Sequence, residues 1–166
     1  MESAKPFETI RIGLWEAMPS AGTEEADPYS RAWLARTGEL PLGSGEGLVL
    51  TAVHDRDGAP LRGGCAYRLV GRTPPARLWT VAVEGADGEP VEDRPGSQAL
   101  GSDAILRSPD GAFTLHLAPE PRPGNWLSSR NTGPIRLVIR LYDTTARTVT
   151  GVTTFAMPDI LAEDCP

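Results

Sequence analysis

Apolar and polar side chains alternate with a period of two along much of the chain after Leu48, as they do in strands with one buried face. The cleanest run is 135–142. There Ile135, Leu137, Ile139 and Leu141 fall on one face, and Arg136, Val138, Arg140 and Tyr142 on the other. Residues 47–54 make a second β-rich run, closed by the turn signal Asp55-Arg56-Asp57-Gly58. In 64–70, Cys65, Tyr67 and Leu69 share a face; in 77–84, Trp79, Val81 and Val83 do so. Residues 112–118 place Phe113, Leu115 and Leu117 opposite Thr114 and His116, just after the turn Ser108-Pro109-Asp110-Gly111. Shorter strands are expected near Ile10–Leu14, Ala104–Arg107 and Thr148–Phe155. Residues 89–102 read as a long loop, and so do 119–124, which end in Asn125-Trp126-Leu127.

One segment breaks the two-residue rhythm. A helix is predicted over 28–37, with Asp27 as N-cap and Pro28 at the first helical position, where a missing amide costs nothing. Tyr29, Ala32 and Trp33 would form its apolar stripe, Gly38 would end it, and it should pack across a sheet. Seven or eight strands, frequent turns and one short helix indicate a jelly-roll-like β-sandwich. No repeat or composition shift marks a second domain. Residues 1–166 are therefore read as one unit, with 1–10 a flexible lead-in and 161–166 a flexible tail.

Composition narrows this picture slightly. Eighteen glycines and sixteen prolines favour turns over long helices. The net charge of −6 argues against a nucleic-acid partner, which needs a concentrated basic surface. No run approaches the ~18 apolar residues of a membrane span, and residues 1–16 lack the order of a secretory signal. The chain as given is expected to be soluble, with cell-envelope association only if an anchor was removed from a precursor. Cys65 reads as a buried small hydrophobe and Cys165 as part of a mobile end, so a bridge between them is the disfavoured reading.

Several stretches in order resemble one bacterial family. They are Asp27-Pro28-Tyr29-Ser30-Arg31-Ala32, the run from Glu46 through Asp55, Asp57-Gly58, and Leu61 to Tyr67. Pro75-Ala76-Arg77-Leu78-Trp79-Thr80, Asp110-Gly111, Gly124-Asn125-Trp126-Leu127 and Arg140-Leu141-Tyr142-Asp143 follow. Over about residues 11–160 this set resembles the domain of unknown function 1214. The resemblance implies a jelly-roll-like β-sandwich. It also implies frequent association with a companion domain of unknown function 1254, for which this chain is too short, and often an amino-terminal anchor in short members. The chain departs from the pattern at Leu78, where an aromatic is usual, and in the aliphatic run Leu48-Val49-Leu50. The family brings no established activity.

Candidate chemistry is sparse. His54 and His116 are the only histidines, with no His-x-His or Cys-x-x-Cys, so no metal site and no cofactor are expected. Gly43-Ser44-Gly45 is not a nucleophile elbow, Ser97 is a loop serine, and no phosphate-cradling loop occurs. Glu46, Asp55, Asp57, Glu84 and Asp103 lie at strand ends or turns. Of these, Glu46 is the acid–base candidate, with a salt bridge to Arg31 or Arg77 as its ordinary explanation, and His116 is the other. The richest set is Tyr29, Arg31, Arg77, Trp79, Asn125, Trp126, Arg140 and Tyr142. Aromatic faces stack on flat or sugar-like groups, and arginine forks bind carboxylates. For each of Trp15, Trp33, Trp79 and Trp126 a core position is the favoured reading. Three roles compete: a binding module for a small organic or carbohydrate-like ligand on the arginine–aromatic face, a hydrolase or isomerase-like enzyme, and a structural or assembly domain.

Overall fold

The computed structural model describes residues 9–37, 41–42, 46–91, 98–129, 133–148, 151–152 and 155–165. In chain order the elements are β1 (Ile10–Ile12), β2 (Trp15–Ala17), α1 (Pro28–Thr37), β3 (Gly47–Ala52), β4 (Ala66–Arg72) and β5 (Ala76–Gly85). They continue with β6 (Ala99–Gly101), β7 (Ala112–Ala118), β8 (Asn125–Ser128), β9 (Ile135–Thr144), β10 (Arg147–Thr148), β11 (Gly151–Val152) and β12 (Asp159–Asp164). A six-stranded antiparallel sheet runs β1-β2-β3-β9-β5-β6, and a four-stranded sheet runs β12-β4-β7-β8. In the second sheet only β7–β8 is parallel.

The alternation read from the sequence decides how the sheets meet. Leu48 and Leu50 of β3, Trp79, Val81 and Val83 of β5, and the four aliphatics of β9 face inward. Tyr67, Leu69, Phe113, Leu115, Leu117, Leu127 and Ile160 face them from the other sheet, and all belong to one buried cluster. Trp79 and Phe113 touch across the interior, ring centres 5.2 Å apart and tilted by 34°. The fold is therefore a two-sheet β-sandwich with one short helix.

Helix α1 has the bounds and the cap that its sequence signals. Asp27 Oδ1 accepts the amides of Tyr29 (2.9 Å) and Ser30 (3.1 Å), and the Ser30 hydroxyl donates to Oδ2. These bonds, the hydroxyl's first, hold the Asp27 carboxyl below its usual range. The inward stripe differs from the expected one. Ser30 is buried and Trp33 and Leu34 are half-buried, whereas Tyr29 is 70% exposed. Pinning Ser30 to the cap turns the helix by about one residue, so Tyr29 points to water.

Other differences have local causes. The lead-in forms a hairpin rather than one strand, because Gly13 turns at φ 60°. Residues 104–107 are not a strand. Arg107 instead braces this segment, donating to the Ser102 and Ile105 carbonyls at 2.7 and 3.1 Å. The strand expected over 148–155 is replaced by the short β10–β11 pair, and residues 149–150 and 153–154 lie outside the described residues. Most of the expected lead-in, Ser44 of the Gly-Ser-Gly turn, Ser97 and the helix stop Gly38 also lie outside them.

The chain end is the largest change. The segment expected to be a loose tail forms β12, paired with β4, and Cys165 is bonded to Cys65 across 100 residues of sequence. Just before β12, the Pro158 carbonyl accepts the indole N–H of buried Trp15 at 2.8 Å. The sheet edge is thus tied to the opposite sheet by a hydrogen bond and to its own neighbour strand by a disulfide.

Two outcomes follow for equilibrium denaturation. Trp79→Ala should cost about 3–5 kcal/mol, because it removes a buried indole and leaves a cavity against Phe113. Cys165→Ser should cost about 2–5 kcal/mol, because the bridge closes a long loop in the unfolded chain. Unfolding curves of the oxidised protein with and without reductant should reproduce the second difference in the parent chain.

Candidate functional site

The same alternation that fills the core exposes a second set of side chains on the outer face of the six-stranded sheet. Strand pairing arranges them in rows across β3, β9 and β5. Gly47, Tyr142 and Leu78 form one row; Val49, Arg140 and Thr80 the next; Thr51, Val138 and Ala82 a third. Glu16 of β2 lies beside Thr51 in that third row, and Glu84 lies opposite Arg136 one step further on. Gly47 is a glycine because a Cβ there would sit 1.9 Å from the Leu141 carbonyl oxygen.

Above this face is a groove of about 890 Å³, a size typical of small-molecule sites. Its floor is Val49, Thr51 and Val138 with Arg140, Arg136 and Glu84. The opposite wall is apolar, built from Met18, Ala21, Trp33, Leu34 and Leu42. Helix α1 thus does not seal the sheet beneath it. Its half-buried stripe and the sheet's outer face line the two sides of one cleft.

The polar part of the floor has a defined geometry. Glu84 Oε2 accepts from Arg136 Nε and Nη2 at 3.0 and 2.8 Å, a two-pronged contact, and Oε1 accepts from Arg140 Nη2 at 3.0 Å. Arg140 is paired in register with Thr80, so its side chain reaches along the sheet over the Ala82–Val138 pair to meet Glu84. The Glu84 side chain is only 10% exposed, Arg136 15% and Arg140 31%. A guanidinium carries five N–H donors. Among the described residues Arg140 spends one on Glu84, so the others are available at the groove. Both oxygens of Glu84 are thus engaged by guanidinium groups.

The residues expected to form an arginine–aromatic face are not brought together. Arg140 lines the groove, and half-buried Tyr142 lies on the same outer face two residues along. Arg77 is exposed and lies 3.8 Å from Asp143. Arg31 fixes loop carbonyls, donating to Ala26 at 2.9 Å and Glu24 at 2.5 Å. Trp79, 1% exposed, points into the core. Asn125 is buried and ties three backbone groups: it accepts from the Leu106 amide at 2.7 Å and donates to the Leu106 and Thr114 carbonyls, each at 2.9 Å. Trp126 donates to the Ala118 carbonyl at 3.0 Å. Of the acid–base candidates, exposed Glu46 precedes β3, and its carbonyl accepts from Asp143. His116 lies on the outer face of the other sheet, with Nδ1 3.9 Å from Glu163, beside a shallow hollow of about 300 Å³. Neither lines the large groove. Among the described residues no cluster of His, Cys, Asp and Glu could hold a metal ion, and no helix is long and apolar enough to cross a membrane.

The groove is lined by Arg136, by Trp33 and Leu34 of α1, and by Glu84, which the sequence marks only as a strand-end carboxylate. The outward parity of Arg136 was legible, but its position opposite Glu84 depends on the β5–β9 register, which one sequence does not reveal.

The family described as protein of unknown function (DUF1214) matches residues 46–146, more than half of the chain. The chain belongs to this family. The matched stretch of the DUF1214 domain contains the groove floor on β3, β5 and β9, whereas α1, β12 and Cys165 lie outside it. Among solved structures, the VPA0106 protein of Vibrio parahaemolyticus is similar at a TM-score of 0.66 and 18% identity, over 84% of this chain and 36% of that one. An uncharacterised protein from Burkholderia cenocepacia is similar at 0.52 and 20%, over 75% and 31%. This chain spans about a third of the length of these relatives, and the likeness concerns the fold. A search of curated proteins gives no match.

Replacing Glu84 with Ala leaves two arginines facing one another over an apolar floor. Stability should fall by roughly 2–3 kcal/mol, less than for a fully buried pair because Arg140 keeps contact with water. The double change Glu84→Ala with Arg140→Ala should recover part of that loss, measured by the same unfolding curves.

Proposed function

We propose that this DUF1214 domain is a non-catalytic binding module that holds a small organic molecule in the groove between the outer face of the six-stranded sheet and α1. The observation that carries this reading is the convergence of an apolar cleft on one arginine with donors to spare. The solvent-facing side of an antiparallel sheet is ordinarily polar. Here half-buried Val49 lines it beside buried Val138, and half-buried Trp33 and Leu34 line the same groove, so a ligand would remove the exposed part of Val49, Trp33 and Leu34 from water. Arg140 would fix its orientation. Glu84 supports that role by holding the guanidinium in place. The enzyme reading gains less support, because Glu46 and His116 lie away from the groove.

Val49→Trp tests this reading. The change puts an indole on the groove floor beside Arg140 and leaves the inward side chains untouched. In a thermal-shift screen of small organic compounds, the parent chain should show a set of stabilising hits, and the variant should lose most of them while unfolding at a similar temperature. Hits that survive unchanged in the variant would place binding elsewhere.

A further inference from the structure

Resting on that reading, we infer that the groove takes an amphipathic carboxylate, an aliphatic chain ending in one acidic group. The chain would lie between Val49, Val138, Trp33 and Leu34, and the carboxylate would receive the unengaged N–H groups of Arg140. Three features select this class. First, Val49 and Val138 of the floor and Leu34 and Leu42 of the wall are aliphatic, with Trp33 as the aromatic of the wall, which favours a flexible hydrocarbon over a flat ring or a sugar. Second, Arg140, whose one bond among the described residues goes to Glu84, sits in the same row as Val49, so a polar head there leaves the apolar portion running over Thr51 and Val138. Third, a planar guanidinium fork suits a carboxylate, and at Glu84 both carboxylate oxygens are already held by guanidinium groups, Oε2 by Arg136 and Oε1 by Arg140.

The acidic groups around the groove do not oppose this placement. Glu84 is shared by two guanidinium groups, and Glu16 is bonded to Arg11 at 2.5 Å. Asp87 and Glu89 are exposed on the turn beyond the end of β5, and Arg140 is paired with Thr80, well inside that strand. Their field reaches the arginine through water and is screened at physiological salt.

Isothermal titration of the whole chain with octanoate, decanoate and dodecanoate, below micelle-forming concentrations and against 1-octanol and 1-decanol, tests the inference. Affinity should rise with each lengthening of the acid, and octanoate and decanoate should each bind at least about tenfold more tightly than the alcohol of equal length, since the bond to a charged partner is lost in the alcohol. Arg140→Gln should erase the preference for acid over alcohol and retain the dependence on chain length. The acid–alcohol comparison in the parent chain stands by itself if that variant does not fold. Equal binding of acid and alcohol overturns the carboxylate assignment but leaves a binding groove. No binding of any alkyl compound, together with screening hits that Val49→Trp abolishes, overturns the ligand class alone. No binding and no such hits overturn the binding-module reading itself.

Discussion

Strand β9 is hydrogen-bonded on both flanks, to β3 and to β5, and its register with each places the side chains of the three central strands of the larger sheet. Ile135, Leu137, Ile139 and Leu141 close the interior, while Arg136, Val138 and Arg140 make the outer floor. A shift of one residue would drive two guanidinium groups into a core of leucines and phenylalanine. Burying an unpaired charge there costs far more than the ladder bonds could return. Core and groove are therefore two sides of one constraint. The aliphatics that fix the register inward also fix which outward residues stand side by side.

That constraint explains why an ion triad is tolerated on a nearly dry surface. Desolvating Glu84 is unfavourable on its own. The register sets Arg136 directly beside it for a two-pronged contact, and Arg140 reaches back along the sheet to the second oxygen. Such a network adds little net stability compared with apolar packing, but it holds side chains in one arrangement. For a binding groove, an arginine already held in position loses less freedom when a ligand arrives.

The parts legible in the sequence are those where local pattern and tertiary demand agree. Strands β3, β4, β5, β7 and β9 alternate strongly because one face of each meets the shared core, and α1 carries both a capping aspartate and a first-turn proline. The inward parity of Trp79 with Val81 and Val83 was visible too, and it sets that indole in the interior and apart from Arg140. What could not be read depends on partners far along the chain. Strand β8 is four residues long and pairs in parallel with β7, so no hairpin signal precedes it. Strand β12 has a register break between Ala162 and Asp164, which blurs any alternation, and it is held by β4, Trp15 and Cys65 rather than by its own composition. Two cysteines 100 residues apart carry no spacing signal, and only the antiparallel approach of β12 to β4 brings them within reach.

The groove also depends on what fails to close it. Helix α1 lines the groove with Trp33 and Leu34, yet its cap turns Tyr29, the first aromatic of the expected stripe, away to solvent. Ser30 is buried but does not line the groove, so α1 offers it the two half-buried side chains Trp33 and Leu34. A tightly packed helix would have made this face a second core layer, as interiors approach crystal density when the side chains allow it. Two half-buried side chains leave an apolar cleft instead, with one polar corner at Arg140. A change of size at Trp33 would therefore alter the width of the cleft without disturbing the sandwich, whereas a change at Arg140 would alter its polar corner.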